Sequence, residues 1–112
     1  MNTCQYIGQT LQVVIDRPLG SRHAQHGFLY QLNYGYLPGV PSDDGEDLDA
    51  YVLGVFEPIS SFEGECIAVI HRLDDSDDKL VLAPPGRQFT DDQIRALTKF
   101  QERWFASIIK RT

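Results

Sequence analysis

The stretch "PSDDGEDLDA", residues 41–50, sets five carboxylates in the seven positions from Asp43 to Asp49. At about 4 Å two like charges repel by roughly 1 kcal/mol even in bulk water, so such crowding needs solvent or a counter-cation. Oxygen-only ligands suit hard divalent ions such as Mg²⁺ or Mn²⁺, with water completing the shell. Asp44, Glu46 and Asp49 are the informative set. Gly45 between them tolerates the dihedrals of a tight turn, and that turn lets carboxylates converge which an extended strand would separate. A second cluster, Asp74, Asp75, Asp77 and Asp78, ends directly at Lys79. Two acidic loops separated by a strand pair are what a multi-metal site would use. Two solvated turns would share the same composition, and composition alone leaves both readings open. The spacing does not match a helix–loop–helix calcium loop.

Other side chains suit an anion. Tyr30, Tyr34 and Tyr36 surround "LNYG", and phenols donate hydrogen bonds to phosphate oxygens without adding charge. Arg17, Arg22 and Lys79 could clamp phosphoryl groups, arginine in bidentate fashion. His23 and His26 lie three apart without a third soft ligand nearby, which argues against zinc. There is no glycine-rich loop followed by Lys-Ser or Lys-Thr, and no Gly-x-Ser-x-Gly elbow.

The charge distribution narrows the partners. The formal charge is −6, which disfavours a nucleic-acid backbone. Twelve acids lie between Asp43 and Asp78 against one strongly basic residue, Arg72, whereas the first forty residues hold a single acid, Asp16. Bound cations would neutralise that bias and recruit an anionic substrate.

The elements that must position these residues read as strands. Val- and Ile-rich or alternating segments occur at 6–16, 28–39, 50–58, 64–73 and 79–85, with no long crossovers between them. From Thr90 the period changes. Thr90 and Gln93 form a capping box, and Ile94, Leu97, Phe100, Trp104, Phe105 and Ile108 make an apolar stripe, predicting a helix over about 90–111. The expected fold is mainly β: an OB-like barrel of five to six mostly antiparallel strands with one C-terminal helix, in a single domain over 1–112. The apolar surplus on that helix predicts a homo-oligomer. No apolar run approaches the ~18 residues of a membrane span, and no leader is visible, so the expected location is the cytoplasm without membrane association. Cys4 and Cys66 form no disulfide framework and read as small hydrophobes.

Three ordered motifs resemble the soluble, Mg²⁺-dependent inorganic pyrophosphatases. "YQLNYGYLPG" is similar to that family's Tyr-Pro-x-Asn-Tyr-Gly-Tyr segment, and "DDGEDLDAYVL" to its Asp-Gly-Asp-Pro-x-Asp signature. "AVIHRLDDSDDKLVLAP" resembles its later acidic pair followed by a lysine. The resemblance implies hydrolysis of a phosphoanhydride, foremost inorganic pyrophosphate to two phosphates, with Mg²⁺ or Mn²⁺ as cofactor. It implies metal ligands at Asp44, Glu46, Asp49, Asp74 and Asp77. It further implies catalytic parts for Glu46, Asp44, Lys79 and Tyr34, and substrate contacts from Tyr30, Tyr34, Lys79 and an arginine, Arg17 or Arg22. The chain departs from the pattern in several places, and the N-terminal hairpin that supplies the family's Lys-x-Glu and Val-Asp-Arg is absent or collapsed into "VVIDRPLGSRH". Glu46 and Asp47 stand where the family has aspartate and proline, and the loop before Lys79 is two residues shorter. "FQERWF" takes the place of a Phe-Phe-Glu-x-Tyr-Lys segment, putting Trp104 and Phe105 at a phosphate clamp. The alternative function is a repurposed relative that binds a phosphorylated metabolite, a nucleotide or a protein partner without efficient turnover.

Overall fold

The computed structural model describes residues 2–75 and 77–112. A short 3-10 turn, Thr3–Tyr6, precedes six strands and one helix. The strands are β1 (Thr10–Arg17), β2 (Asn33–Pro41), β3 (Asp47–Val52), β4 (Ser61–Arg72), β5 (Asp78–Ala83) and β6 (Ser107–Lys110), and the helix α1 spans Asp91–Glu102. The hydrogen-bonded order is β1-β2-β3-β5-β4-β6, and a further β1–β4 pairing closes the first five strands into a barrel. Every pairing is antiparallel except β3 with β5. The expected barrel with one C-terminal helix is what the chain forms.

Alternation along the strands sorts side chains to two cores. One draws on all five barrel strands: Val13 and Ile15, Leu37, Leu48, Ala50 and Val52, Cys66 and Val69, Leu80 and Leu82. The intervening residues Tyr34, Tyr51, Ile70 and Val81 form the other core with Ile94 and Phe100 of α1. The helix therefore covers one outer face of the barrel. Where that cover ends, the same face carries Asp49, Arg72 and Lys79. β1 crosses β2 so closely that a Cβ on Gly35 would sit 1.9 Å from the Val14 carbonyl oxygen, so only glycine fits there.

The helix starts as expected. Thr90 Oγ1 accepts from Gln93 N at 3.1 Å, and Gln93 Oε1 accepts from Thr90 N at 2.8 Å. It ends earlier than the apolar stripe predicts, at Glu102 rather than near 111. Residues 107–110 pair instead with the free edge of β4, Ile70 opposite Ile109 and Arg72 opposite Ser107. The reason is tertiary: an open ladder on β4 satisfies backbone groups, and β-branched Ile108 and Ile109 suit a strand better than a helix.

Candidate functional site

The parallel β3–β5 register sets Asp49 beside Lys79, and the β2–β3 register sets Tyr34 opposite Tyr51. The first of these pairings builds the centre of the site. Lys79 Nζ lies 2.8 Å from Asp49 Oδ2 and 2.8 Å from Asp77 Oδ2, with the lysine almost wholly buried and both acids partly open to solvent. Lys79 also sits over the Tyr34 ring, 5.8 Å from its centroid. Burial, reinforced by the neighbouring Asp49 carboxylate, holds the Tyr34 phenol well above its usual pKa. It is therefore a neutral O–H donor across the physiological range.

These residues line a cavity of about 770 Å³ whose wall includes Asp16, Arg17, Tyr30, Tyr34, Asp49, Arg72 and Lys79. The far side is aromatic, formed by His23, His26, Phe28, Trp104 and Phe105. Asp16 and Asp49 also line an adjoining cavity of about 560 Å³, shared with Tyr36, Asp44, Gly45, Glu46 and Asp47. Asp44 opens in turn on a smaller hollow lined by Asp43, Asp75 and Asp77. A cationic, hydrogen-bond-donating pocket thus abuts an acidic one, with Asp49 common to both.

The acidic loop is built by local bonds. Asp44 Oδ1 accepts from the Ser42 hydroxyl and from Glu46 N at 2.9 Å, while Ser42 N donates to the Glu46 carbonyl at 2.7 Å. Gly45, at φ +86°, takes the left-handed position. The Ser42 hydroxyl bond, followed by the Glu46 amide, holds the Asp44 carboxyl below its ordinary pKa.

Not every expected residue faces the site. Arg22 donates to the Gly27 carbonyl at 2.9 Å and bridges to Leu29, tying its own loop together, whereas Arg17 lines the cavity. Asp74 Oδ2 accepts from Ala106 N at 3.2 Å, which fixes the turn into β6, and it lines none of the three cavities. Asp75 is the carboxylate that joins Asp77 there. Asp78 is spent on structure, 2.6 Å from His71 Nδ1 and 2.5 Å from Thr3 Oγ1.

Besides Asp75, and Asp16, which lines both larger cavities, Arg72 and Glu102 were not anticipated. Arg72 projects into the cavity, its Nε and Nη2 held by Glu102 at 3.0 and 2.7 Å and its guanidinium 3.7 Å from the Phe105 ring centroid. Glu102 also accepts from the Tyr51 hydroxyl at 2.5 Å, so this network clamps the end of α1 to the floor of the site. Arg72's isolation in an acidic stretch was the signal that could have found it.

The fit to a divalent cation rests on donor chemistry. Asp44, Glu46, Asp49, Asp75 and Asp77 offer carboxylate oxygens alone, the preference of Mg²⁺ or Mn²⁺. The Lys79 ammonium already occupies the gap between Asp49 and Asp77, so that pair is arranged to receive positive charge. Among the described residues no three His, Cys, Asp or Glu side chains are gathered around one point. The groove between α1 and β6, about 440 Å³, has only Glu102 as a carboxylate, and that group is already bonded to Arg72 and Tyr51.

Comparison with known proteins identifies the fold and the family. The family model for inorganic pyrophosphatase matches residues 7–110. An inorganic pyrophosphatase of Helicobacter pylori superposes with a TM-score of 0.73 at 18% identity, covering 96% of this chain and 87% of that one. That of Ehrlichia chaffeensis gives 0.71 at 17%, covering 90% and 84%. That of Neisseria gonorrhoeae gives 0.61 at 20%, covering 98% and 87%. Among curated proteins no sequence matches.

Proposed function

Because the chain belongs to the inorganic pyrophosphatase family, we propose that it hydrolyses inorganic pyrophosphate to two phosphates with Mg²⁺, for which Mn²⁺ can substitute. The observation that carries the reading is the shared wall at Asp49. On one side lie phosphate-binding groups, Lys79, Arg17 and Tyr34, and on the other the acidic loop of Asp44 and Glu46.

Bound divalent cations supply positive charge against phosphoryl oxygens and acidity to a water molecule. Asp44, Glu46, Asp49 and Asp77 are the residues that would hold them. Lys79 and Arg17 grip the anion by charge-assisted bonds, and Arg72 adds positive potential from beneath. Tyr34, kept neutral by burial and by Asp49, donates its O–H to a phosphate oxygen and stays a donor at alkaline pH. Glu46 orients the attacking water and accepts its proton. The lysine and arginine then stabilise the charge left on the departing phosphate.

Phosphate release from pyrophosphate should depend on Mg²⁺, stop with chelator and fall to a few per cent in Asp49→Asn. Background release with both Mg²⁺ and Mn²⁺ across mildly alkaline pH would overturn the proposal.

Self-association is part of the same reading. Among the described residues β6 pairs with β4 alone, and Ile108 on β6 and Leu73 just past the end of β4 stay 42% and 56% exposed. Sedimentation at micromolar protein should show a species larger than 12.7 kDa, and the 12.7 kDa species alone would remove this element. No helix is long and apolar enough to cross a membrane among the described residues. A cytoplasmic location is proposed with the function.

A further inference from the structure

The cavity that holds Lys79 and Arg17 is two-sided, and its second side has no task in binding a bare diphosphate. Pyrophosphate presents oxygens over its whole surface and gains nothing from an apolar wall. Here that wall is extensive. His23 stacks on His26 with centroids 4.9 Å apart and lies 4.7 Å from Phe28. Phe28 stands 5.4 Å from Trp104, and Trp104 stands 6.3 Å from His26. The cluster is held in place rather than loosely exposed. His23 Nδ1 accepts from the backbone amides of Gln25 and His26, both at 3.1 Å, which fixes the turn that presents the two imidazoles. Phe28 packs in turn on Tyr30 and Phe100 of the core.

Trp104 nonetheless remains 57% exposed, although it lines the cavity and sits among partners that could have covered it. Arg103 lies 5.3 Å from the Trp104 centroid and adds a cation at the rim. A volume of about 770 Å³ falls in the range of sites that enclose a drug-sized organic ligand, ~300–1,000 Å³. An anion-binding floor joined to an aromatic wall whose Trp104 and His26 rings both stay exposed is the combination that recognises a flat aromatic group carrying phosphates.

We propose that this pocket takes a nucleoside di- or triphosphate, its base against the Trp104–His26 wall and its terminal phosphates at Lys79 and Arg17. The inference rests on the phosphate site of the hydrolase reading and extends its substrate class. Tolerance for different bases follows, because every base offers a π-face.

The protein carries its own reporter. Trp104 is the only tryptophan in the chain, so tryptophan fluorescence, excited selectively over tyrosine, reads this wall alone. With Mg²⁺ present, ADP and CDP should quench it saturably, while ribose 5-phosphate, which lacks a base, should not. Calorimetry should find ADP bound at least tenfold more tightly than pyrophosphate. Trp104→Ala should weaken ADP by roughly 5- to 150-fold, the span of one base–aromatic stack, and weaken pyrophosphate much less. His26→Ala keeps the reporter and should act in the same direction. Equal affinities for ADP and pyrophosphate, or equal losses of both in Trp104→Ala, would overturn the proposal. If pyrophosphate is bound and hydrolysed but ADP is not bound, the base site fails and the hydrolase reading stands. If ADP is bound with the stated preference and no phosphate leaves either compound, the hydrolase reading fails and the base site stands. Binding of neither overturns both.

Discussion

Removing the Lys79 ammonium while keeping its length, as in Lys79→Met, tests whether that group stands in for a cation. Its Nζ contacts Asp49 Oδ2 and Asp77 Oδ2, each at 2.8 Å. Two contacts of 2.8 Å to one nitrogen leave the carboxylate oxygens no more than about 5.6 Å apart, so without it they repel by roughly 3 kcal/mol at an effective dielectric constant near 20. Breaking a buried ion pair costs ~3–5 kcal/mol, and the partial exposure of both acids puts this one at the low end. Urea unfolding with chelator present should therefore show a loss of about 3 kcal/mol. The same change should tighten Mg²⁺ binding by at least about tenfold, because a competing positive charge has gone from the carboxylate pair. Turnover should nevertheless collapse, since the phosphate loses a charge-assisted contact of ~1.5–3 kcal/mol. Calorimetric titration of Mg²⁺ into parent and variant reads the second effect directly. Unchanged or weaker Mg²⁺ affinity together with a stability loss under 1 kcal/mol would refute the reasoning, because neither the repulsion nor the competition would then exist.

Glu46→Gln deletes the proton acceptor while nearly keeping shape and should remove most pyrophosphate turnover, about 10²-fold or more, in a phosphate-release assay. Glu46→Asp should also lower it, because a displacement of about 1 Å near the nucleophile costs of order 10²-fold. Tyr34 and Tyr51 are buried and their phenols lie well above 10, with desolvation the first cause in both. Their neutral-state contribution to stability is fully present below pH 10 and is lost as pH rises through the raised folded values. Tyrosinate absorbance from these two should thus appear together with unfolding in an alkaline titration monitored by far-UV dichroism. Burial pushes the Cys66 thiol up to about 11, so at pH 8 a thiol reagent should leave Cys66 unmodified until the protein unfolds.

The barrel was legible because Val- and Ile-rich segments such as 64–73 and 79–85 recur without long crossovers, and the Thr90–Gln93 pair marks where α1 begins. The strand expected at 50–58 forms earlier, at Asp47–Val52, inside the stretch read as an acidic loop. Where α1 ends was not legible. Ile108 and Ile109 satisfy a helical stripe and a strand equally, and the open edge of β4 decides between them. At the site, the acidic loops and Lys79 announced a cation and an anion. Their juxtaposition comes from the parallel β3–β5 register, which no local pattern encodes. The same limit bears on which member of two residue pairs lines a cavity. Asp74 and Asp75 are neighbours in one exposed turn, where Asp74 accepts from the Ala106 amide and Asp75 from Arg72 and the Asp77 amide. Arg17 ends a strand that borders the cavity, while Arg22 is consumed by its own turn. Arg72 was visible as a lone cation among acids, but its partner Glu102 lies thirty residues away and arrives only with the helix.

The central claim is that carboxylates from the Asp44–Asp49 loop and from Asp77 gather divalent cations beside Lys79. Anomalous diffraction from Mn²⁺-soaked crystals locates such ions without reference to activity. Peaks should lie in the acidic hollows with oxygens of Asp49, of Asp77 and of Asp44 or Glu46 at about 2.0–2.2 Å, and the Lys79 ammonium should have moved away from the Asp49–Asp77 pair. Crystals saturated with Mn²⁺ that show no peak there, or peaks only at remote surface carboxylates with Lys79 still between Asp49 and Asp77, would contradict the account.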